Sequence, residues 1–533
     1  MFRCFRLVLV LLCSVQALAQ SGGTLPFALE LETITLRNTP ALHSVAFARA
    51  VGKWLIACGR TNGLHGFNPA TGFPANAAND KLWVVNPETQ EVWSASVSSL
   101  PNTLADPLRS TNPQFFKDGD YLYIVGGYGR DSAQDRFVTF NTLTAIHVQG
   151  MMNAIMNNQS LRPHLRQLQD ERLRVTGGEM RRMGGVAYLF FGHNFDGQYS
   201  RNQSPAFTQT YTNEVRTFKI QDDGTNLSLS NYVALTDPTP EEFHRRDLNV
   251  VPLVRPQGAF ALAAYGGVFR READLPFLHP VYVDANGARV DSSYEQLMSH
   301  YTCANVGIYD AAQQTMHTTF FGGISLHDYD ETSGTLREDD LVPFIDDITT
   351  LSLEGLGRSA ETIHPVRLPA LLGANAVFVL DEHVPAYENE VIKLNDMNTR
   401  TFIGYIWGGI KAAIPNFTPS SASDIVLKVY LTPNTTQAVA APPRELGYEL
   451  SLAYPNPALS RSQINLRLTR AQHVTVEVID LLGQQLAVLH EGMMPAAQTR
   501  SFSYKAHNPV RGQVFYRITG EDFSVTRKVL VLP

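Results

Sequence analysis

An apolar run that ends in glycine recurs six times along the chain. The copies are Trp54-Leu55-Ile56-Ala57-Cys58-Gly59, Tyr121-Leu122-Tyr123-Ile124-Val125-Gly126-Gly127, Tyr188-Leu189-Phe190-Phe191-Gly192, Leu262-Ala263-Ala264-Tyr265-Gly266-Gly267, Thr318-Thr319-Phe320-Phe321-Gly322-Gly323 and Tyr405-Ile406-Trp407-Gly408-Gly409. Short runs rich in β-branched and aromatic residues and bounded by glycine read as buried strands rather than helices. Glycine at a strand end permits positive φ or close passage of a neighbouring backbone, both of which a Cβ resists. Successive copies lie about 56 to about 86 residues apart, an interval expected of an array of supersecondary units separated by long loops. A sandwich with glycine-rich turns has no reason to repeat at such an interval.

The flanks repeat as well. Val306-Gly307-Ile308-Tyr309-Asp310 aligns with Ile392-Lys393-Leu394-Asn395-Asp396, each leading to Gly-Gly-Ile. A third strand follows the glycines, Lys81–Asn86 in the first unit and Asp347–Leu353 in the fifth, and the first unit adds a turn and a fourth strand carrying Trp93. A first strand near His43-Ser44, an apolar strand ending in Gly-Gly, a strand running into Asn86-Pro87-Glu88-Thr89 and a Trp strand together resemble the kelch repeat. The resemblance spans roughly residues 30–432 and implies an all-β, six-bladed propeller over residues 20–432. The sixth unit then takes Val391–Leu394, Thr401–Gly408 and Ile425–Leu431 and lacks a fourth strand. The early stretch Glu30–Leu36 is expected to supply it, which would leave no unpaired edge.

Residues 1–19 combine Arg3 and Arg6, an apolar Leu7–Leu12 core and Ala17-Leu18-Ala19, the pattern of a secretory signal peptide. Cys13 invites a lipoprotein reading, but Leu12 stands where a lipobox takes a small residue. No later stretch is long and apolar enough to be transmembrane. Of the cysteines, Cys58 and Cys303 remain after cleavage, on units too far apart in a ring for a disulfide, so two free buried thiols are expected. A formal net charge of −7 argues against a nucleic-acid partner, which needs clustered cations.

Residues 433–447 (PNTTQAVAAPPRELG) read as a linker. From 448 to 533 the pattern changes to short alternating strands, a small β-sandwich. Its landmarks are Tyr454-Pro455-Asn456-Pro457, Asp480-Leu481-Leu482-Gly483 with a tight turn at Leu482-Gly483, Gly512-Gln513-Val514 and the basic final strand around Arg527-Lys528. In this order they resemble the C-terminal sorting domain of the type IX secretion system, with Val514 where that family usually has Tyr. The resemblance implies a Gram-negative bacterium, export by the type IX machinery, and a mature protein released or held at the cell surface.

Two long loops carry non-repetitive content. Gln149–Asp170 contains Arg162, His164 and Arg166, and 325–346 contains Asp328, Asp330, Glu331, Glu338, Asp339 and Asp340. Clustered oxygens can hold a hard cation, but the Asp-x-Asp-x-Asp-Gly spacing is absent and a charge run is more simply a solvated surface. No metal or other cofactor is expected. Counting back from the glycines, His43, Arg109, His244, Arg245, Arg246, His300, Tyr301 and Tyr387 fall where the innermost strands begin, at the channel mouth. Converging Arg and His side chains can bind a carboxylate or sulfate; equally, they can pair with carboxylates and carbonyls between blades. A copper-radical oxidase would need a Cys–Tyr cross-link site that Cys58 and Cys303 do not form, and nothing resembles a Ser-His-acid set, a phosphate loop or a zinc motif. The sequence therefore points to an exported binding protein for a glycan or a protein. The alternative is a sugar mutarotase- or epimerase-like enzyme at the channel face, which would need a carboxylate of perturbed pKa beside the His/Arg cluster.

Overall fold

The computed structural model describes residues 25–66, 72–199, 207–236, 241–331, 334–355, 359–416, 419–434, 448–459, 461–480, 484–505, 512–521 and 523–531. The signal peptide, residues 435–447 of the expected linker and the Leu482-Gly483 turn lie outside the described residues.

The fold is all-β. Among the described residues 27–433, six larger sheets follow one another, with two-stranded ribbons Tyr128–Asp131/Arg136–Thr139 and His193–Asp196/Thr208–Tyr211 among them; the first five sheets each hold a first strand, the glycine-ended second strand and two further strands in meander order. Sheet one is Ala46–Ala50, Lys53–Ala57, Lys81–Val85 and Val92–Ser96; sheet two is Gln114–Asp118, Tyr121–Val125, Thr142–His147 and Leu165–Gln169. Sheet three is Glu179–Met183, Val186–Phe190, Glu214–Asp222 and Leu227–Thr236; sheet four is Arg246–Val254, Phe260–Val268, Val281–Asp284 and Gly287–Val290. Sheet five is Ala304–Asp310, Thr315–Ile324, Phe344–Glu354 and Ser359–Ile363. Sheet six is Leu371–Leu380, Thr401–Ala412 and Val426–Pro433, with the early strand Phe27–Ile34 on its outer edge, antiparallel in the register Glu30↔Tyr430.

The glycines mark where the next sheet arrives. Gly59 N–H donates to Ser110 O (2.8 Å), Gly127 to Val175 O (2.9 Å), Gly192 to Arg245 O (2.9 Å) and Gly267 to His300 O (2.6 Å), each acceptor lying in the chain that enters the following sheet. In sheet five, Gly322 lies directly against Leu372 O of sheet six. From sheet six, Gly409 N–H reaches Leu42 O, ahead of sheet one, at 2.9 Å. Trp54 of sheet one also packs against Tyr405 and Trp407 of sheet six at ring distances of 5.2 and 6.4 Å. The circuit of sheet-to-sheet contacts thus returns to its start.

Three expectations need correction. The first strand of sheet six is Leu371–Leu380, not 391–394; Ile392–Lys393 is a two-residue strand lying parallel to Ile308–Tyr309 of sheet five. Equal spacing to the glycines suggested the wrong run, whereas the ten-residue apolar strand pairs along the length of Thr401–Ala412. The 149–170 stretch is not a loop: it supplies the helix Val148–Met156, whose Met151, Met152 and Ile155 pack into the core with Leu82 and Val84 of sheet one, and the fourth strand of sheet two. The acidic 325–346 stretch is not a solvated run but a hairpin, His327–Asp330 with Thr335–Asp339, whose carboxylates are engaged by Arg337, Arg367 and Arg527.

Cys58 and Cys303 are both free and buried, and burial pushes each thiol up to about 12, so neither is a nucleophile at neutral pH. Residues 448–531 form a second body of two sheets over a common core that includes Val476, Tyr516 and Val529.

The early strand anchors sheet six to sheet five. Phe27 is 2% exposed and meets the His317 and His364 rings at 5.6 and 6.2 Å. Phe27→Ala is expected to cost about 3–4 kcal/mol by urea unfolding, while alanine at the exposed neighbour Thr33 changes stability by less than about 0.5 kcal/mol.

Candidate functional site

The first strands of all six sheets line a cavity of about 490 Å³. Its charges are largely paired: Arg49 with Glu390 (3.0 Å), Arg182 with Asp118 (2.8 Å), and Arg181 with Glu179. One end of this cavity is narrowed by a run of backbone hydrogen bonds passing from sheet to sheet. Gly177 N–H donates to Asn112 O (3.2 Å), Asp247 to Gly177 O (2.6 Å), Thr302 to Asp247 O (3.0 Å) and Asn375 to Thr302 O (2.7 Å). Ser44, Asn112, Gly177, Asp247 and Asn375 all take φ between 49° and 65°, the left-handed region that Gly, Asn and Asp tolerate best. In sheets one to three the first strand starts two residues after this kink, whereas in sheets four and six the kink lies within the first strand.

Beyond the constriction lies a pocket of about 60 Å³. Two positions per sheet build much of it: the residue before the kink and the residue after the glycines, which pair with each other. These pairs are His43 with Arg60, Thr111 with Tyr128 and Thr176 with His193; sheet four contributes Arg246, opposite Val268. His65, Phe73, Phe195 and Tyr199 complete the wall.

Two cations from opposite sides of the circuit reach this pocket. Arg246 Nη1 donates to the Tyr199 hydroxyl (3.0 Å) and the guanidinium lies over the Phe269 ring at 5.1 Å. Its Nε lies 3.8 Å from Asp247 Oδ2 and among the described residues has no hydrogen-bond partner. Arg60, 4% exposed, donates from Nε to Asn62 Oδ1 (3.0 Å) and from Nη2 to Pro74 O (2.8 Å), with Phe73 beneath it at 5.3 Å. Burial lowers Arg60 to about 10, leaving it charged at neutral pH.

The histidines add no charge. Burial, aided by Arg60, pushes His43 down to about 3; burial pushes His65 down to about 4; and burial followed by Arg246 holds His193 well below its ordinary value. His43 Nδ1 contacts Ser44 Oγ at 2.9 Å, and among the described residues its buried Nε2 has no hydrogen-bond partner. On the pocket floor, burial pushes the Asp247 carboxyl up against the opposing pull of Arg246, and Asn112 Nδ2 donates to its Oδ1 at 3.2 Å. An NMR titration of imidazole shifts is therefore expected to show His43 flat from pH 8 to pH 5, because its folded value of about 3 lies below that window; the same ring titrates near 6.5 in urea.

Of the eight residues singled out in the sequence, His43 and Arg246 line the pocket. Tyr301 and His244 flank it: Tyr301 is edge-on to Phe269 at 6.3 Å, and His244 stacks on Tyr211 at 3.7 Å with Nδ1 at 3.1 Å from Asn213 Oδ1. The other four are engaged elsewhere. Arg109 binds Asp106 (3.2 Å) and Ser98 (2.8 Å) at the end of a short helix. Arg245 is fully buried, paired with Glu242, donating to Gly266 O (3.0 Å) and lying over Phe277. His300 accepts from Leu326 N–H (3.1 Å) and contacts Gln296 O through Nε2 (3.1 Å). Tyr387 packs on Tyr309 and Phe260, with Lys393 over its ring.

Arg60, Tyr128 and His193 were missed by counting to the first strands. Each is the residue immediately after the recurring glycine or glycine pair, a position the repeat itself marks.

Residues 452–532 match the family described as the secretion system C-terminal sorting domain. The protein is an export substrate. The sorting domain assigns it to the type IX secretion machinery and to the secreted or outer-surface compartment. No curated protein matches the sequence. Among solved structures, one titled "Structure of YjhT" is similar at 13% identity with a TM-score of 0.39, covering 74% of this chain and 98% of that one. Among the described residues no helix is long and apolar enough to cross a membrane, and no cluster of three or more His, Cys, Asp or Glu side chains is arranged to hold a metal ion.

Proposed function

We propose that the six sheets are the blades of a kelch-type β-propeller and that its mouth binds the negatively charged end of a glycan outside the cell. The observation that carries this reading is the pairing of Arg60 and Arg246, cations from sheets one and four, around one small pocket with electroneutral histidines. Buried guanidinium groups gain most from an anion that can accept two parallel hydrogen bonds. His43 Nε2 and Arg246 Nε, neither with a hydrogen-bond partner among the described residues, supply further polar positions, and a buried polar atom without a hydrogen bond favours a ligand that satisfies it. A volume of about 60 Å³ admits a carboxylate or sulfate rather than a whole sugar, so the rest of the ligand would lie against the Phe73, Tyr199 and Phe269 side of the mouth. Aromatic faces with a few fixed polar groups suit sugar rings.

A second reading, acid–base chemistry on the same sugar such as mutarotation or epimerisation, is favoured by Asp247. Its buried carboxyl, pushed up and set beside Arg246, has the character of a proton carrier.

The test is a glycan array with the full-length exported protein, followed by calorimetry on the hits. Acidic glycans are expected to bind, and Arg246→Met to weaken them by about a hundredfold, as befits loss of a charge-assisted bidentate contact. Equal binding of neutral glycans, or unchanged affinity in Arg246→Met, would remove the anion reading. Absence of any glycan binding would point to a protein ligand instead. Turnover of a bound sugar that is lost in Asp247→Asn while binding persists would establish the enzymatic reading.

A further inference from the structure

The hairpin His327–Asp330 and Thr335–Asp339 projects from sheet five, and its second strand continues into the sorting domain. Thr335–Asp339 pairs in parallel with the last strand, Ser524–Val531, in the register Arg337↔Ser524, Glu338↔Val525 and Asp339↔Thr526. A single six-stranded sheet therefore spans the two bodies.

Beside the seam sits a buried ionic seat. The Arg527 side chain is 7% exposed, with Nη1 at 2.5 Å from Glu338 Oε1 and 3.1 Å from Asp340 Oδ1. The backbone N–H of Lys528 donates to Asp340 Oδ2 (3.0 Å), and the Tyr448 hydroxyl donates to Glu338 Oε2 (3.0 Å). Lys528 Nζ lies 3.8 Å from Asp274, in the loop after the glycines of sheet four. Both carboxylates come from the propeller side, and Arg527, Lys528 and Tyr448 all come from the sorting domain. Neither half satisfies its buried charges alone. Stripping one partner from a buried hydrogen-bonded pair leaves an uncompensated charge, which makes such a seat strongly selective for its occupant. The parallel pairing adds main-chain hydrogen bonding by strand addition.

We propose that this hairpin is the passenger's own receptor for the sorting domain, and that strand pairing and the Arg527 seat hold the two together without help from the covalent connection between residues 434 and 448. The acidic run that reads as a solvated surface or a cation loop in the sequence is then an anion pair built for one arginine. A corollary is that the outer edge of the last strand is covered, so any partner that pairs with that edge must first displace the hairpin.

The experiment places a specific protease site within 435–447 of the full-length protein, cuts it, and follows both pieces by size-exclusion chromatography at about micromolar concentration. Co-elution of the cut pieces is expected, as is their separation in Arg527→Met, where the complex should weaken by about a hundredfold or more. Because Arg527→Met can perturb the sorting domain itself, the passenger-side double variant Glu338→Gln/Asp340→Asn leaves that domain's sequence untouched, and its pieces should separate as well. Separation of the wild-type pieces on cutting would overturn the proposal, as would co-elution in the passenger-side double variant.

Discussion

Gly266→Ala is expected to destabilise the protein by about 3–5 kcal/mol, or to prevent its folding, although it adds one methyl group. Gly266 has φ +60°, and a Cβ there would fall inside the contact radius of the His300 carbonyl oxygen. That oxygen accepts the Gly267 N–H at 2.6 Å and lies in the chain entering sheet five. Relief requires moving one sheet relative to the next, because the obstacle is main chain rather than a flexible side chain. Gly126, whose Cβ would meet Val175 O in the same way, should behave alike. Gly119 supplies the control: its φ is +54° but nothing lies within 4 Å, so Gly119→Ala should cost only the conformational term, about 1 kcal/mol. Denaturant midpoints at unchanged m report the difference. Equal losses at Gly266 and Gly119 would mean that the repeat glycines serve φ alone and not the approach of the next sheet.

Arg245→Ala and Arg246→Ala should fail in different ways despite being neighbours. Arg245 has no exposed surface and is bound to Glu242, Gly266 O and the Phe277 face. Removing it takes the donor from Gly266 O, leaves Glu242 with His279 (2.9 Å) in place of two cationic partners, and empties a fully buried side-chain volume, an effect of about 3–5 kcal/mol on stability. Ligand affinity, measured below the new midpoint, should stay within about threefold, since the side chain points away from the pocket; that factor corresponds to well under 1 kcal/mol. Arg246→Ala should instead lose the ligand, because its guanidinium, held by Tyr199, Phe269 and Asp247, lines the pocket. Thermal unfolding and calorimetry on the same two proteins separate the cases. Loss of binding in Arg245→Ala at full occupancy of the fold would show that the site extends deeper than Arg60 and Arg246.

The repeat made the strand class and the number of sheets legible, because a buried strand ending in glycine is a local signal and a circuit of sheets requires it at every turn. The early strand was legible by elimination, since sheet six otherwise lacked an outer member. The first strand of sheet six was misread because Ile392 sits at the same distance from its glycines as Val306 does; interval carries no information about pairing length, and Leu371–Leu380 pairs over ten residues. The mouth was legible to within one or two positions in sheets one, two, four and five, and not in sheets three and six, where Thr176, His193 and Asn375 line the pocket and Tyr387 does not. His43, Arg246 and Tyr301 fall at the start of their strands, whereas sheet two places Thr111 there instead of Arg109. The marker that sets this register is a backbone kink at Ser44, Asn112, Gly177, Asp247 and Asn375, and it shows in the sequence only as small or amide-bearing residues common in any loop. The binding partner of the acidic hairpin was out of reach, since the pairing of Glu338 and Asp340 with Arg527 joins residues almost two hundred positions apart.

The central claim, that the sheets close on themselves with sheet six against sheet one, has a direct chemical test. Asn62 and Ser421 face each other across an isolated antiparallel bridge between the connection joining the second and third strands of sheet one and the short strand Ser420–Ala422 of sheet six. Directly opposed residues of such a bridge have Cα atoms about 4.5–5.5 Å apart, within disulfide range. In Asn62→Cys/Ser421→Cys, with Cys58 and Cys303 buried and unreactive, mild oxidation is expected to close one new disulfide in the monomer, read as faster migration on a non-reducing gel and loss of both titratable thiols. Two thiols that stay free under native conditions would mean that the sheets do not close, and the pocket between Arg60 and Arg246 would not exist as described.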